Sequence, residues 1–152
     1  MHETLREKFS PAEAQQCEKD HCRLALDGLR HPVFVLDCDR YCDLHEVRGK
    51  TCDFLVFVCS TTPAAAAVEI KSGSNVDATK AVQQIQAGAQ HIDSLAGTRA
   101  ISFYPILLYS EIKHTNELKV LQNRKITFRG RRYRIVYKKC GTHLLEIIEQ
   151  FH

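Results

Sequence analysis

Asp53 heads an apolar run, and after fifteen intervening residues Glu69 and Lys71 flank a single apolar residue, Ile70. Side chains alternate along a strand, so Glu69 and Lys71 share a face while Ile70 points into a core. A hairpin between the two runs brings the Asp53 carboxylate beside Glu69. Two close carboxylates repel unless a hard divalent cation sits between them. Oxygen ligands supplemented by waters suit Mg²⁺, with Mn²⁺ as a substitute, and the Ile70 carbonyl is a candidate further ligand. Such a cation lowers the pKa of a bound water and polarises a phosphate oxygen. A lysine beside that water orients the nucleophile and offsets developing charge. The chemistry indicated is hydrolysis of a phosphodiester without a covalent intermediate. An isolated E-x-K triplet more often marks a solvated strand face with a weak ion pair. Here it follows an upstream Asp and a strand apolar on both faces, and it precedes a Gly-containing turn into an amphipathic helix.

The elements that must position these residues are legible from periodicity. Over 52–60, Phe54, Val56 and Val58 face one way and Leu55, Phe57 and Cys59 the other, which predicts a central strand covered on both sides. Pro63 marks a turn, and the short connection makes the strand over 67–72 an antiparallel partner. Ala78, Val82, Ile85, Ala89, Ile92 and Leu95 recur at helical steps, predicting a helix over 76–96 stopped by Gly97. Lys80 and Gln84 lie four apart and share a face, either merely exposed or turned toward a phosphate and Lys71. A strand over 101–109 follows, where Pro105 suggests an edge or a bulge.

Upstream, Ser10-Pro11 with Glu13 three residues after the serine reads as a capped helix start. The stripe Ala14, Cys17, His21, Leu24 and Leu29 extends that helix over 11–28. A strand over 33–37 and a polar turn or excursion over 38–50 come next. Asp37 and Asp39 belong to that turn, or else neighbour the metal. Downstream, a short helix over 114–123 precedes a hairpin with arms 125–128 and 132–138, and a last helix covers 143–151. The order helix, three strands, helix, strand, hairpin, helix predicts one α/β domain over 1–152, a mixed β-sheet flanked by helices.

With 152 residues, 44% hydrophobic and 26% charged, the chain is sized for one core. No apolar run reaches bilayer length, and the N-terminus is too polar for a secretory signal, so a cytoplasmic protein without a membrane partner is expected. Seven cysteines then read as free thiols or ligands rather than a disulfide framework. The spacings among Cys17, His21, Cys22, Cys38, Cys42 and His45 match no common zinc motif, which leaves a zinc-stabilised interaction domain the weakest alternative. The net charge of +3 is mild, but nine basic residues and no acid fall within 119–139. Arg129, Arg131, Arg132, Arg134 and Lys138 are placed there to grip a polyanion such as DNA through phosphates, or simply to protect a strand edge.

In this element order and signature the chain resembles the PD-(D/E)XK nuclease superfamily over about 11–110. The resemblance implies a restriction-endonuclease-like core and Mg²⁺-dependent hydrolysis of DNA. Asp53, Glu69 and the Ile70 carbonyl would hold the metal, and Lys71 would be catalytic. Gln84 matches a glutamine found on the family's second helix. An acidic residue on the first helix is best matched by Glu18, with Glu13 and Asp20 weaker. Two positions depart from the pattern: Cys52 replaces the usual proline, and Gly88 stands where some branches carry tyrosine. The resemblance also implies a homodimer, and a role in defence against foreign DNA, repair or recombination. A catalytically inactive binding or regulatory module on the same fold is the alternative.

Overall fold

The computed structural model describes residues 1–151. Its first element is α1 (His2–Phe9), which buries Leu5. The Ser-Pro signature then makes only a 3-10 turn, Ser10–Ala12. Glu13 does not close a capping box; its carboxylate pairs with Arg6 at 3.3 Å. The expected helix over 11–28 is absent. In its place stand β1 (Glu13–Ala14), β2 (Cys17–Lys19) and β3 (Cys22–Leu24). The reason lies in a competing period of two: Cys17, Cys22 and Leu24 are buried while Glu18 and Arg23 are exposed. Asp20 and His21 both take positive φ, 50° and 62°, in the two-residue turn of the β2–β3 hairpin.

The strand expected over 33–37 forms, but the segment after it departs from its pattern. β4 (Val33–Asp37) leads into α2 (Cys38–Leu44), a helix where only a turn or excursion was expected. The Asp37 carboxylate caps it, accepting from the Arg40 N–H at 3.2 Å. β5 (Phe54–Val58), buried at every position, pairs antiparallel with both β4 and β6 (Ala64–Lys71). α3 (Ala78–Ala96) crosses over, and β7 (Ser102–Tyr109) returns parallel to β6. β7 is neither an edge nor bulged at Pro105. Its outer neighbour starts pairing only at Ile106, so the proline interrupts no ladder on that flank.

α4 (Thr115–Asn123) follows, then β8 (Lys125–Phe128) and β9 (Arg131–Arg134). The second hairpin arm is divided at Ile135. β9 pairs with β8, whereas β10 (Val136–Lys139) joins the main sheet parallel to β7. α5 (Leu144–Gln150) ends the described chain. The six-stranded sheet runs β1-β4-β5-β6-β7-β10. One face packs Phe34, Leu36, Leu55 and Phe57 against α1, α3, α4 and the β8–β9 hairpin. The other packs Val56, Val68 and Ile106 against the β2–β3 hairpin and α5. Among the described residues no helix is long and apolar enough to cross a membrane.

Two close contacts set this arrangement. The alanine run of β6 lets α3 lie near the sheet, and a Cβ added at Gly88 would meet Cys52 Sγ at 2.4 Å and Ala67 Cβ at 3.0 Å. Gly88→Ala is therefore expected to destabilise the fold by about 1–3 kcal/mol despite alanine's better helix propensity. Thermal unfolding checks this; a variant as stable as the parent would show that α3 can shift freely. Across the other face, Cys22 and Cys140 form a disulfide, contrary to the expectation of free thiols throughout. Cys17, Cys38, Cys42, Cys52 and Cys59 are free.

Candidate metal and phosphate site

Residues 65, 67, 69 and 71 of β6 point to the α3 side of the sheet, as Leu55 and Phe57 of β5 do. Asp53 sits one residue before β5 and Glu69 lies just beyond the last β5–β6 rung, Phe54 with Val68. The predicted trio is thereby gathered at one end of the meander. Asp53 Oδ2 accepts from the Ile70 N–H at 2.7 Å. The N–H and C=O of a strand residue leave on the same flank, so the Ile70 carbonyl also faces the space past the end of β5. Lys71 Nζ donates to Gln84 Oε1 at 3.3 Å, and Gln84 Nε2 donates to the Thr51 carbonyl at 3.5 Å. Gln84 thus steers the lysine from α3.

Glu69 is the unusual member. It is 1% exposed, and neither carboxylate oxygen accepts a hydrogen bond from a protein donor. Burial, and after it the hydrogen bond that its proton makes to Asp53, push its carboxyl up to about 10. For Asp53 burial acts upward too, yet Glu69, the Lys19 ammonium and the Ile70 N–H together hold its carboxyl below the ordinary value. An ionised, unpartnered Glu69 is costly in this environment unless a cation compensates it. Two carboxylates and a backbone carbonyl are hard oxygen donors of the kind Mg²⁺ takes, and each Asp53 oxygen keeps lone pairs beyond its one hydrogen bond. The residues present therefore fit a hard divalent ion completed by water. Among the described residues no cluster of three or more His, Cys, Asp or Glu side chains is placed to hold a metal.

Sequence reasoning missed Lys19. Its Nζ lies 2.8 Å from Asp53 Oδ1, reaching across from β2. Glu18, the expected acidic ligand, is exposed on the opposite face of the same short strand, paired across from Arg23. With no helix there, Glu18 is not brought to the site, and Glu13 and Asp20 are not either: Glu13 pairs with Arg6 and Asp20 accepts from Ser72 Oγ at 3.5 Å. The alternation around Asp20-His21 was the signal that would have revealed the hairpin and its lysine.

The basic cluster is divided by the fold. Arg129 is committed to the C-terminal end of α3, donating to Asp93 at 2.7 Å and to the carbonyls of Gly97 and Arg99. It is no free phosphate ligand. Arg131, Arg132 and Arg134 remain exposed on β9. Lys138 leaves them for β10, where its ammonium lies 5.8 Å from the Phe151 ring centroid. The alternation along 132–138 predicts one face for Arg132, Arg134 and Lys138, but the division into two strands of different sheets separates Lys138 from the other two. Nearer the acidic pair, Lys50, Thr51, Lys80 and Gln84 line a groove of ≈ 580 Å³, with Asp39 and Asp43 on its other wall. Lys80 lies close enough to depress the Lys50 ammonium.

The zinc alternative loses its constellation. Cys22 is in the disulfide, His21 is on an exposed turn, and His45 packs against the Phe9 and Tyr41 rings. Two buried thiols are pushed away from nucleophilic character: burial raises Cys17, and a hydrogen-bond contact between Cys38 and the Cys52 thiol, together with burial, raises Cys38. Comparisons of the chain with protein-family models, with curated proteins and with solved structures find no match.

Proposed function

We propose that this chain is a Mg²⁺-dependent nuclease that hydrolyses phosphodiester bonds of DNA on a restriction-endonuclease-like core. The observation that carries this reading is Glu69, buried beside Asp53 with no donor on either oxygen and separated by one residue from a lysine held by Gln84. The antiparallel meander followed by α3 and β7 supports this reading by matching the part of the PD-(D/E)XK element order after its first helix, whereas the helix expected over 11–28 is replaced by β1, β2 and β3. A bound Mg²⁺ would supply Lewis acidity and an acidified water. Asp53, Glu69 and the Ile70 carbonyl would hold it. Lys71 would then orient the attacking water, with Gln84 fixing the direction of its ammonium. Lys50 and Lys80 would track phosphates along the groove that ends at Gln84, without reading bases. Arg132 and Arg134 are available for a second stretch of backbone.

The test is cleavage of single-stranded, duplex and branched DNA and of RNA, with and without Mg²⁺ or Mn²⁺. Lys71→Ala is expected to lower the cleavage rate at least about 100-fold, as the loss of a charge-stabilising group does. Absence of cutting on every substrate, or cutting that survives Lys71→Ala, defeats the proposal. A second reading, a binding module that retains the fold without catalysis, is favoured by one observation: Asp53 already has a cation in Lys19.

A further inference from the structure

Lys19 reaches the acidic pair from the far face of the sheet, and the fold secures it there. Its cross-strand partner in the β2–β3 hairpin is Cys22. Cys22 is covalently joined to Cys140 just past β10. The same hairpin is tied to the C-terminal segment by the backbone: Gly141 N–H donates to the Arg23 carbonyl at 2.7 Å, and Leu144 N–H to the Ala25 carbonyl at 2.9 Å. The rung that carries Lys19 is therefore fixed at one end by a covalent bond, while the long side chain itself is 47% exposed, with solvent on one side.

We infer that Lys19 is a tethered counter-ion that competes with the divalent cation for Asp53, so that metal entry requires the ammonium to swing out of the site. This rests on the reading of Asp53 and Glu69 as a metal site. The ammonium lies 2.8 Å from Asp53 Oδ1, where it takes one lone pair and delivers one positive charge beside the space a metal shared with Glu69 would fill. A divalent ion arriving there repels it at short range. Displacement loses one charge-assisted hydrogen bond, and solvent receives the released head, so the opposition is moderate rather than prohibitive. Lys19 is thus a positioning residue that sets the metal concentration at which the site fills. With the Ile70 N–H on the other oxygen, it also orients the Asp53 carboxylate before the metal arrives.

Calorimetric titration with Mg²⁺ and Mn²⁺ on wild type, Lys19→Met, Lys19→Arg and Glu69→Gln separates the possibilities, with thermal unfolding of each metal-free variant in parallel. Lys19→Met is expected to bind metal about three- to tenfold more tightly, the range that loss of a half-exposed charged hydrogen bond gives. Lys19→Arg is expected to return affinity to the wild-type value, which a purely structural role in the hairpin would not do. Binding in the wild type that Glu69→Gln abolishes, combined with unchanged or weaker affinity in Lys19→Met, overturns the role of Lys19 while leaving the metal site standing. Absence of metal binding in both wild type and Lys19→Met overturns the metal site and the inference together. Binding seen only in Lys19→Met upholds both.

Discussion

Glu69→Gln raises the stability of the metal-free protein, and raises it more at pH 9 than at pH 5. The folded protein keeps a proton on Glu69 up to about pH 10, whereas the unfolded chain releases it near the ordinary glutamate value. Between those two values the native state binds more protons, so stability falls as pH rises, by up to about 1.4 kcal/mol per pH unit. The contribution of Glu69 is fully present below its unfolded value and is lost by the folded one. Glutamine is nearly isosteric, carries no titrating group and removes this decline. Asp53 acts with the opposite sign in a separate window: its lowered carboxyl favours the fold above its ordinary value and ceases to do so as pH falls through the folded value. If the proposed site binds Mg²⁺, the wild type is expected to gain about 2.7 kcal/mol at 100 times Kd and Glu69→Gln to gain none. Melting curves from pH 5 to 9, with and without Mg²⁺, check both effects. A Glu69→Gln variant that follows the wild-type pH slope and still gains stability from Mg²⁺ contradicts them.

Removing the Cys22–Cys140 bond is expected to cost about 4 kcal/mol. The cysteines are 118 residues apart, and cross-linking over a span of that order restricts the unfolded chain by nearly the maximum such a bond achieves. For a chain of this length the loss corresponds to a fall in Tm of about 8–16 °C. Cys22→Ser combined with Cys140→Ser, and wild type reduced by a dithiol, should unfold at matching denaturant concentrations well below the oxidised wild type. A double variant within about 1 kcal/mol of the parent would mean that the hairpin is already restrained by its backbone bonds to residues 141–144.

The site trio was legible in the sequence because strand alternation is a strict period. Once β5 and β6 were recognised, the shared face of Glu69 and Lys71 followed; Gln84 was singled out by the family resemblance, and the period of α3 gave only its shared face with Lys80. Lys19 was hidden because a capping signature and a partial helical stripe outweighed three-residue alternations, which are too short to give a period by themselves. The disulfide was hidden for a related reason: nothing local relates residue 22 to residue 140, and their meeting depends on the hairpin lying over the end of β10. The basic cluster misled in another way. Nine like charges in sequence suggested one surface, yet Ile135 sends the chain from a small sheet into the large one, so Lys138 and Arg134 part company. Charge in sequence carries no information on such a change of sheet.

Helix α3 has one more lesson in how it is held. Its first free N–H, at Ala78, donates to Glu117 Oε2 at 2.6 Å, and Gln86 exchanges two 2.8 Å bonds with the backbone of Thr127. Its last turn is bound by Arg129. An acid at the positive end and an arginine at the negative end also match the helix dipole. All three fasteners come from the chain after β7, the portion that resemblance alone would class as a variable appendage. The smallest unit able to present Gln84 to Lys71 is accordingly not the compact core ending near residue 110. Any evolutionary trimming or grafting that spared only that core would set the helix adrift from the lysine it aims.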